Sequence, residues 1–135
     1  MSLIHVDPRF LDRVWPLAAQ MLQPAVDEAR GEITIDQLEL LIRRGESNLL
    51  LWEEVGEITG AVAVEFHNFP SMRVAHVSFL GGKGVVDEKH FSALKEWCVS
   101  QGASEMRAWC AEAQAKLFQS IGFVEQYRIV GVKLC

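Results

Sequence analysis

The sequence predicts a mixed α/β domain of the α+β type: one mostly antiparallel sheet flanked by helices. Three observations carry this. Apolar residues recur at helical spacing up to Arg44, and the period then changes to that of strands from Asn48 to Leu80. The last third alternates strand, helix, strand, helix, strand, which implies crossovers and locally parallel pairing. The 135 residues fit one domain, residues 1–135, with no repeat, low-complexity tract or linker.

A short first strand is compatible with Leu3–Val6. Asp7-Pro8 reads as a helix start, because Asp caps and Pro has its φ fixed for the first turn. Leu11, Val14, Trp15, Ala18 and Leu22 give the helical spacing, Pro16 predicts a kink or split, and Pro24 predicts the end. Thr34 and Gln37 form a capping box, with Ile33 and Leu38 as its hydrophobic staple. Ile35, Leu38, Leu41 and Ile42 mark the buried face, and Gly45 takes the left-handed stop.

Asn48–Glu54 and Glu57–Phe66 read as strands joined at Val55-Gly56. Asn68–Ser71 is a second turn and Met72–Leu80 a third strand, giving a meander. After Gly81-Gly82-Lys83-Gly84 comes a helix over Glu88–Gln101, with Phe91, Leu94, Trp97 and Cys98 on its apolar face. A short strand over Ser104–Trp109, a helix over Ala111–Ile121 and a final strand over Phe123–Leu134 complete the chain. Trp15, Trp52, Trp97 and Trp109 fall at periodic core positions.

Composition excludes several functions. Net charge is -5, with 13 Lys and Arg against 18 Asp and Glu, which works against nucleic acid and anionic membrane surfaces. No apolar run could span a bilayer, and no signal peptide is expected. Cys98, Cys110 and Cys135 form an odd set without CxxC spacing, which suits a reducing, cytoplasmic setting. His5, His67, His76 and His90 have no metal-ligand spacing, so no metal site is expected. No Walker loop, G-x-S-x-G elbow or H-E-x-x-H is present.

The element order, together with WEEVGEITGAVAVEF (Trp52–Phe66), FLGGKGVV (Phe79–Val86) and AKLFQSIGF (Ala115–Phe123), resembles the GCN5-related N-acetyltransferase (GNAT) superfamily over nearly the whole chain. The resemblance implies an acetyl-CoA site. Gly82, Lys83, Gly84 and Val85 would hold the pyrophosphate, as backbone N–H groups beside a helix N-terminus do. Phe79 and Leu80 would pair with the pantetheine arm, and a splay between central strands would expose the thioester to an amine. Against the family loop Arg/Gln-x-x-Gly-x-Gly/Ala, only Gly84 matches. Gly81 replaces the basic or amide residue, Val86 replaces the small one, and Asp87 and Glu88 add negative charge where the pyrophosphate would lie. Phe118 stands where the family often has its proton-donating Tyr, Ala111 stands at its Asn, and the chain's one Tyr, Tyr127, lies further on.

For the catalytic base the first choice is His76, mid-strand on the same side as Val74 and Ser78, with an ordinary imidazole pKa suited to neutral pH. Glu65 and His67 share a face of the preceding strand and are the other choices. Cys110 precedes a helix, where a thiol can be activated, but nothing in the sequence pairs it with a His. Two readings stay open. One is an acetyl-CoA-dependent N-acetyltransferase acting on a small-molecule or protein amine. The other is a catalytically silent GNAT-like scaffold, which its degenerate loop makes similar to short phage-encoded GNAT-like proteins linked to virion assembly. In either case the walls that a full C-terminal hairpin would build are missing or come from a protein partner, as in a homo-oligomer.

Overall fold

The computed structural model describes residues 1–135. Five strands form one sheet in the order β1 (Ser2–His5), β2 (Asn48–Glu54), β3 (Glu57–Asn68), β4 (Arg73–Gly81) and β5 (Glu105–Ala108). Strands β1 to β4 are antiparallel to their neighbours, and β5 runs parallel to β4 after the crossover through α3 (Glu88–Ser100). Helices α1 (Leu11–Asp27) and α2 (Ile35–Arg43) precede the meander, and α4 (Glu112–Ser120) follows β5. No helix is long and apolar enough to cross a membrane.

Sheet parity divides the core. Leu49, Leu51, Ala61 and Ala63 face α1 and α2, where Leu11, Ala18, Leu22, Leu38 and Ile42 cover them. Leu50, Trp52, Val62 and Val64 face α3 and α4, against Phe91, Leu94, Cys98 and Phe118. This explains why β2 and β3 read as near-continuous apolar runs: a strand covered on both faces has no solvent parity.

Local chemistry sets most boundaries. Thr34 Oγ1 accepts from the Gln37 amide at 3.2 Å, and Gln37 Oε1 accepts from the Thr34 amide at 2.9 Å, the predicted capping box. Gly45 and Gly102 have φ of 77° and 88° just past α2 and α3. Val55 and Gly56, both at positive φ (50° and 77°), close the β2–β3 hairpin, and Val55 is fully exposed there.

Two expectations need correction. Helix α1 runs through Pro16 and Pro24 to Asp27 without a break. Each proline removes one intrahelical donor, but Trp15, Ala18, Leu22 and Val26 are buried on one stripe, and that burial outweighs the lost bonds. The predicted strand over Phe123–Leu134 is not formed, and the chain after Gly122 has no regular structure. β-forming side chains alone do not make a strand when the backbone has no ladder to join.

Candidate functional site

The site begins with a bulge in β4. Ala63 lies opposite Phe79 and Val64 opposite Val77, so Ser78 is an extra residue. The bulge reverses side-chain parity. Ala75 and Val77 face α3 and α4, whereas Phe79 now faces α1 and Leu80 faces α3 and α4. The expected alignment of His76 with Ser78 on one face rests on regular alternation, which ends at the bulge. The Ser78 Oγ is buried without a hydrogen-bond partner.

Strand β5 also stops here. It pairs with β4 only from Val74–Glu105 to Val77–Ala108. Beyond Val77, the edge of β4 that faces away from β3 has no strand beside it. That stretch holds the orphaned Ser78 hydroxyl, Phe79 and Leu80, all partly buried.

The glycine loop follows directly. It is wedged rather than loose. A Cβ on Gly81 would lie 2.0 Å from the Met21 carbonyl oxygen of α1, and one on Gly82 would lie 2.5 Å from the Thr59 oxygen. Val85 is buried against Trp52 in the core, so its side chain anchors the loop and only its backbone is available to a ligand. Lys83 and Gly84 are exposed at the apex, where Gly84 has φ of 65° and open space around it.

Asp87 caps α3. Its Oδ1 accepts from the His90 amide at 2.8 Å and lies 2.7 Å from His90 Nδ1, and these contacts hold its carboxyl below the usual range, the amide foremost. Trp52 Nε1 donates to the His90 carbonyl at 3.1 Å and fixes the same turn to the sheet. The cap consumes one amide only. Apart from Val85, whose N–H closes a turn over Lys83-Gly84, the backbone N–H groups from Gly82 through Lys89 are without a protein acceptor. A pyrophosphate needs such a run of donors beside a helix N-terminus. The residues present fit acetyl-CoA: free loop amides and Lys83 for its phosphates, and the unpaired β4 edge for its polar arm.

The opposite face of the splay is polar. His76 is buried, stacked on His67 at 5.1 Å between ring centroids and covered by Trp109 at 4.4 Å. Burial, with smaller contributions from His67 and Arg107, lowers its pKa to about 4. An imidazole that weakly basic stays neutral at pH 7 and is a poor acceptor for an ammonium proton, so the neutral-pH base expected at His76 has lost its rationale. His67 Nε2 lies 3.4 Å from Glu65 Oε2, both half-buried, as their shared face predicts. Trp109, read from its spacing as core, is 59% exposed and forms a lid over His76. Cys110 is exposed and its pKa is raised by partial desolvation, the opposite of activation. Phe118 is buried edge-on between Phe91 and Phe123 and has no proton to give.

Sequence reasoning missed the Ser78 bulge, although it did place ligand phosphates on the loop amides. A bulge leaves no reliable mark in one sequence. The amides had a usable signal: a loop of glycines and a capped helix start leave several donors unfilled.

No protein-family model and no curated protein matches the sequence. Solved structures do match it. A probable acetyltransferase aligns over 100% of this chain and 97% of its own, at TM-score 0.70 and 20% identity. An aminoglycoside acetyltransferase from an uncultured soil metagenomic sample, in complex with sisomicin, aligns over 99% and 95%, at 0.71 and 12%. A predicted acetyltransferase from Clostridium acetobutylicum, with acetyl-CoA, aligns over 98% and 96%, at 0.68 and 11%. By this likeness over its whole length, at 20% identity or less, this protein has the fold of the GCN5-related N-acetyltransferase superfamily.

Proposed function

We propose that the protein is an acetyl-CoA-dependent N-acetyltransferase acting on a small-molecule amine. The observation that carries the reading is the cluster of unpartnered loop and helix-start amides between Gly82 and Lys89, adjoining the unpaired edge of β4. Bound acetyl-CoA supplies an activated acetyl thioester. The similar structures bound to acetyl-CoA and to sisomicin support both the donor and a small amine acceptor.

Each residue then has a task. The amides of Gly82, Lys83, Gly84 and Val85 hold phosphate oxygens, and the Lys83 ammonium adds one charge. The backbone of Phe79 and Leu80 holds the pantetheine. Glu65 and His67 take the proton released by the amine. A carboxylate accepting from Nε2–H leaves Nδ1 as the acceptor and fixes that tautomer. Glu65 lies opposite His76, two residues from Ser78 and so about 7 Å along the strand, a span that two hydrogen-bonded waters bridge. His76 positions the His67 ring by stacking and walls off the splay.

Titration calorimetry with acetyl-CoA tests the reading first. A dissociation constant in the micromolar range is expected, and no heat at millimolar ligand would sink it. Glu65→Gln and His67→Ala are each expected to lower kcat for acetyl transfer about 100-fold while leaving the KM for acetyl-CoA unchanged. Unaltered kcat in both variants would remove the pair from the mechanism.

Phe118 favours a second reading, a silent GNAT-like scaffold such as a phage virion assembly protein, since the last helix offers no proton donor. Acetyl-CoA binding without transfer to any amine in a broad panel would select it.

A further inference from the structure

The exposed Phe, Trp and Tyr side chains of the chain are Phe10, Phe69, Trp109 and Tyr127. The last three, at 47%, 59% and 65% exposure, stand around one patch of the sheet. Register explains the grouping. Phe66, Ala75, Val77, Met106 and Ala108 pack with α3 and α4. The residues alternating with them, Glu65, His67, His76, Glu105 and Arg107, therefore point to the other face. Glu65 lies opposite His76, and His76 opposite Arg107. Trp109 keeps the parity of Arg107 and rests against His76, at 4.4 Å between ring centroids. The Arg107 guanidinium lies 5.6 Å from the Phe69 ring centroid and 5.9 Å from that of Tyr127, which ties those two rings to the same place. A group of exposed apolar rings rimmed by polar side chains marks a binding surface.

Charge decides what the surface takes. Arg107 is paired with Glu105 and donates to the Tyr127 hydroxyl at 3.2 Å. Burial keeps His76 neutral at pH 7. Of Glu65 and Glu105, only Glu65 lacks an arginine partner, so Glu65, beside His67, is the carboxylate left for an ammonium. One carboxylate and three rings do not suit a polyamine, which needs several carboxylates. A short aliphatic amine would leave the rings in water. Strands β3 and β5 flank β4 and so lie about 10 Å apart. An aryl ring joined to its ammonium by two carbons spans that gap between side chains that reach inward from both strands. Trp offers the largest ring face for stacking and carries no charge to repel the ligand.

Resting on the acetyltransferase reading above, we propose that the acceptor is an arylalkylamine, its ammonium at Glu65 and His67 and its ring stacked on Trp109. Trp109 is then the residue that determines acceptor specificity. In the transfer one C–N bond forms as the thioester C–S bond breaks, and the proton that leaves nitrogen through the Glu65–His67 pair balances the departing thiolate.

Steady-state acetyl transfer to 2-phenylethylamine, ethylamine and spermidine tests the class. Ligand-observed NMR titration of 2-phenylethylamine tests binding apart from the reaction. The kcat/KM for 2-phenylethylamine is expected to exceed that for each of the others at least tenfold. Trp109→Ala is expected to raise the KM for 2-phenylethylamine about tenfold, the upper end of what one aromatic pair is worth, with a smaller change in kcat and the same weakening in the titration. Trp109→Phe is expected to restore most of the loss. Transfer that favours ethylamine or spermidine overturns the proposal and leaves the acetyltransferase reading standing. So does a KM for 2-phenylethylamine indifferent to Trp109→Ala. Binding of 2-phenylethylamine that depends on Trp109, without transfer to any amine, supports the aromatic surface and overturns acetyl transfer instead. Absence of both binding and transfer overturns both.

Discussion

Gly81→Ala is expected to destabilise the protein by about 3 kcal/mol, at the upper end of the ordinary cost of overpacking. The new methyl would lie 2.0 Å from the Met21 carbonyl oxygen and 2.6 Å from its carbon. Both are backbone atoms of α1, so no rotamer change can relieve the clash. Either α1 or the end of β4 must move, and each is packed into the core on Leu22 and Ala61. For a domain of this size the melting midpoint is expected to fall by roughly 10 °C. Gly84→Ala is the matched control. Its methyl meets open space, and the only cost is a left-handed φ of 65°, about 1 kcal/mol. Urea unfolding of both variants measures the difference. Equal losses would show that the loop is not wedged between α1 and β3. The same close approach holds the Gly82–Lys89 amides in place, so the stability of the loop and the geometry of the proposed donor site share one cause.

Much of this architecture is written locally. Thr34 and Gln37 specify the start of α2 by two reciprocal hydrogen bonds within four residues, and Asp87 specifies the start of α3 by accepting from the His90 amide. Val55-Gly56 specifies a hairpin. Such signals need no knowledge of the rest of the chain. The features that local reading misjudged depend on distant partners. Pro16 and Pro24 are helix breakers by propensity, and only the burial of the α1 stripe against β2 and β3 overrides them. The Phe123–Leu134 segment has strand composition, but a strand is a relation between two backbones, and the second is missing from this chain's own sheet. Trp109 has core chemistry, but it follows the end of β5, where the splay leaves it over His76 and open to solvent. The site follows the same division. Its glycine loop and acidic cap are visible in the sequence. The bulge at Ser78 and the depressed basicity of His76 arise from pairing and burial.

His76 makes stability fall with acid in a window that can be assigned to one ring. Its pKa is about 4 in the folded protein, against about 6.5 for an unfolded histidine. Between those values the unfolded chain binds a proton that the folded protein does not, so the equilibrium moves toward unfolding as pH drops. The contribution is fully present above pH 6.5, is lost progressively down to pH 4, and amounts to about 3 kcal/mol at the lower end. Burial is the main cause, and the nearby His67 ring and Arg107 guanidinium oppose a second positive charge. Asp7, Asp87 and Glu105 add acid sensitivity of their own, because arginine partners or a helix cap hold their carboxyls low. Their loss begins only as carboxylates protonate, at and below the ordinary Asp and Glu range. His76→Leu separates the two effects. It keeps an apolar side chain of similar size between His67 and Trp109 and cannot titrate. Denaturant midpoints across pH 4 to 7 are expected to decline for wild type from pH 6.5 downward, and to stay level for His76→Leu until the carboxylates begin to protonate. Parallel curves for the two proteins over that window would mean that His76 protonates in the folded state after all. The ring would then regain the basicity needed to compete with Glu65 and His67 for the proton of the amine.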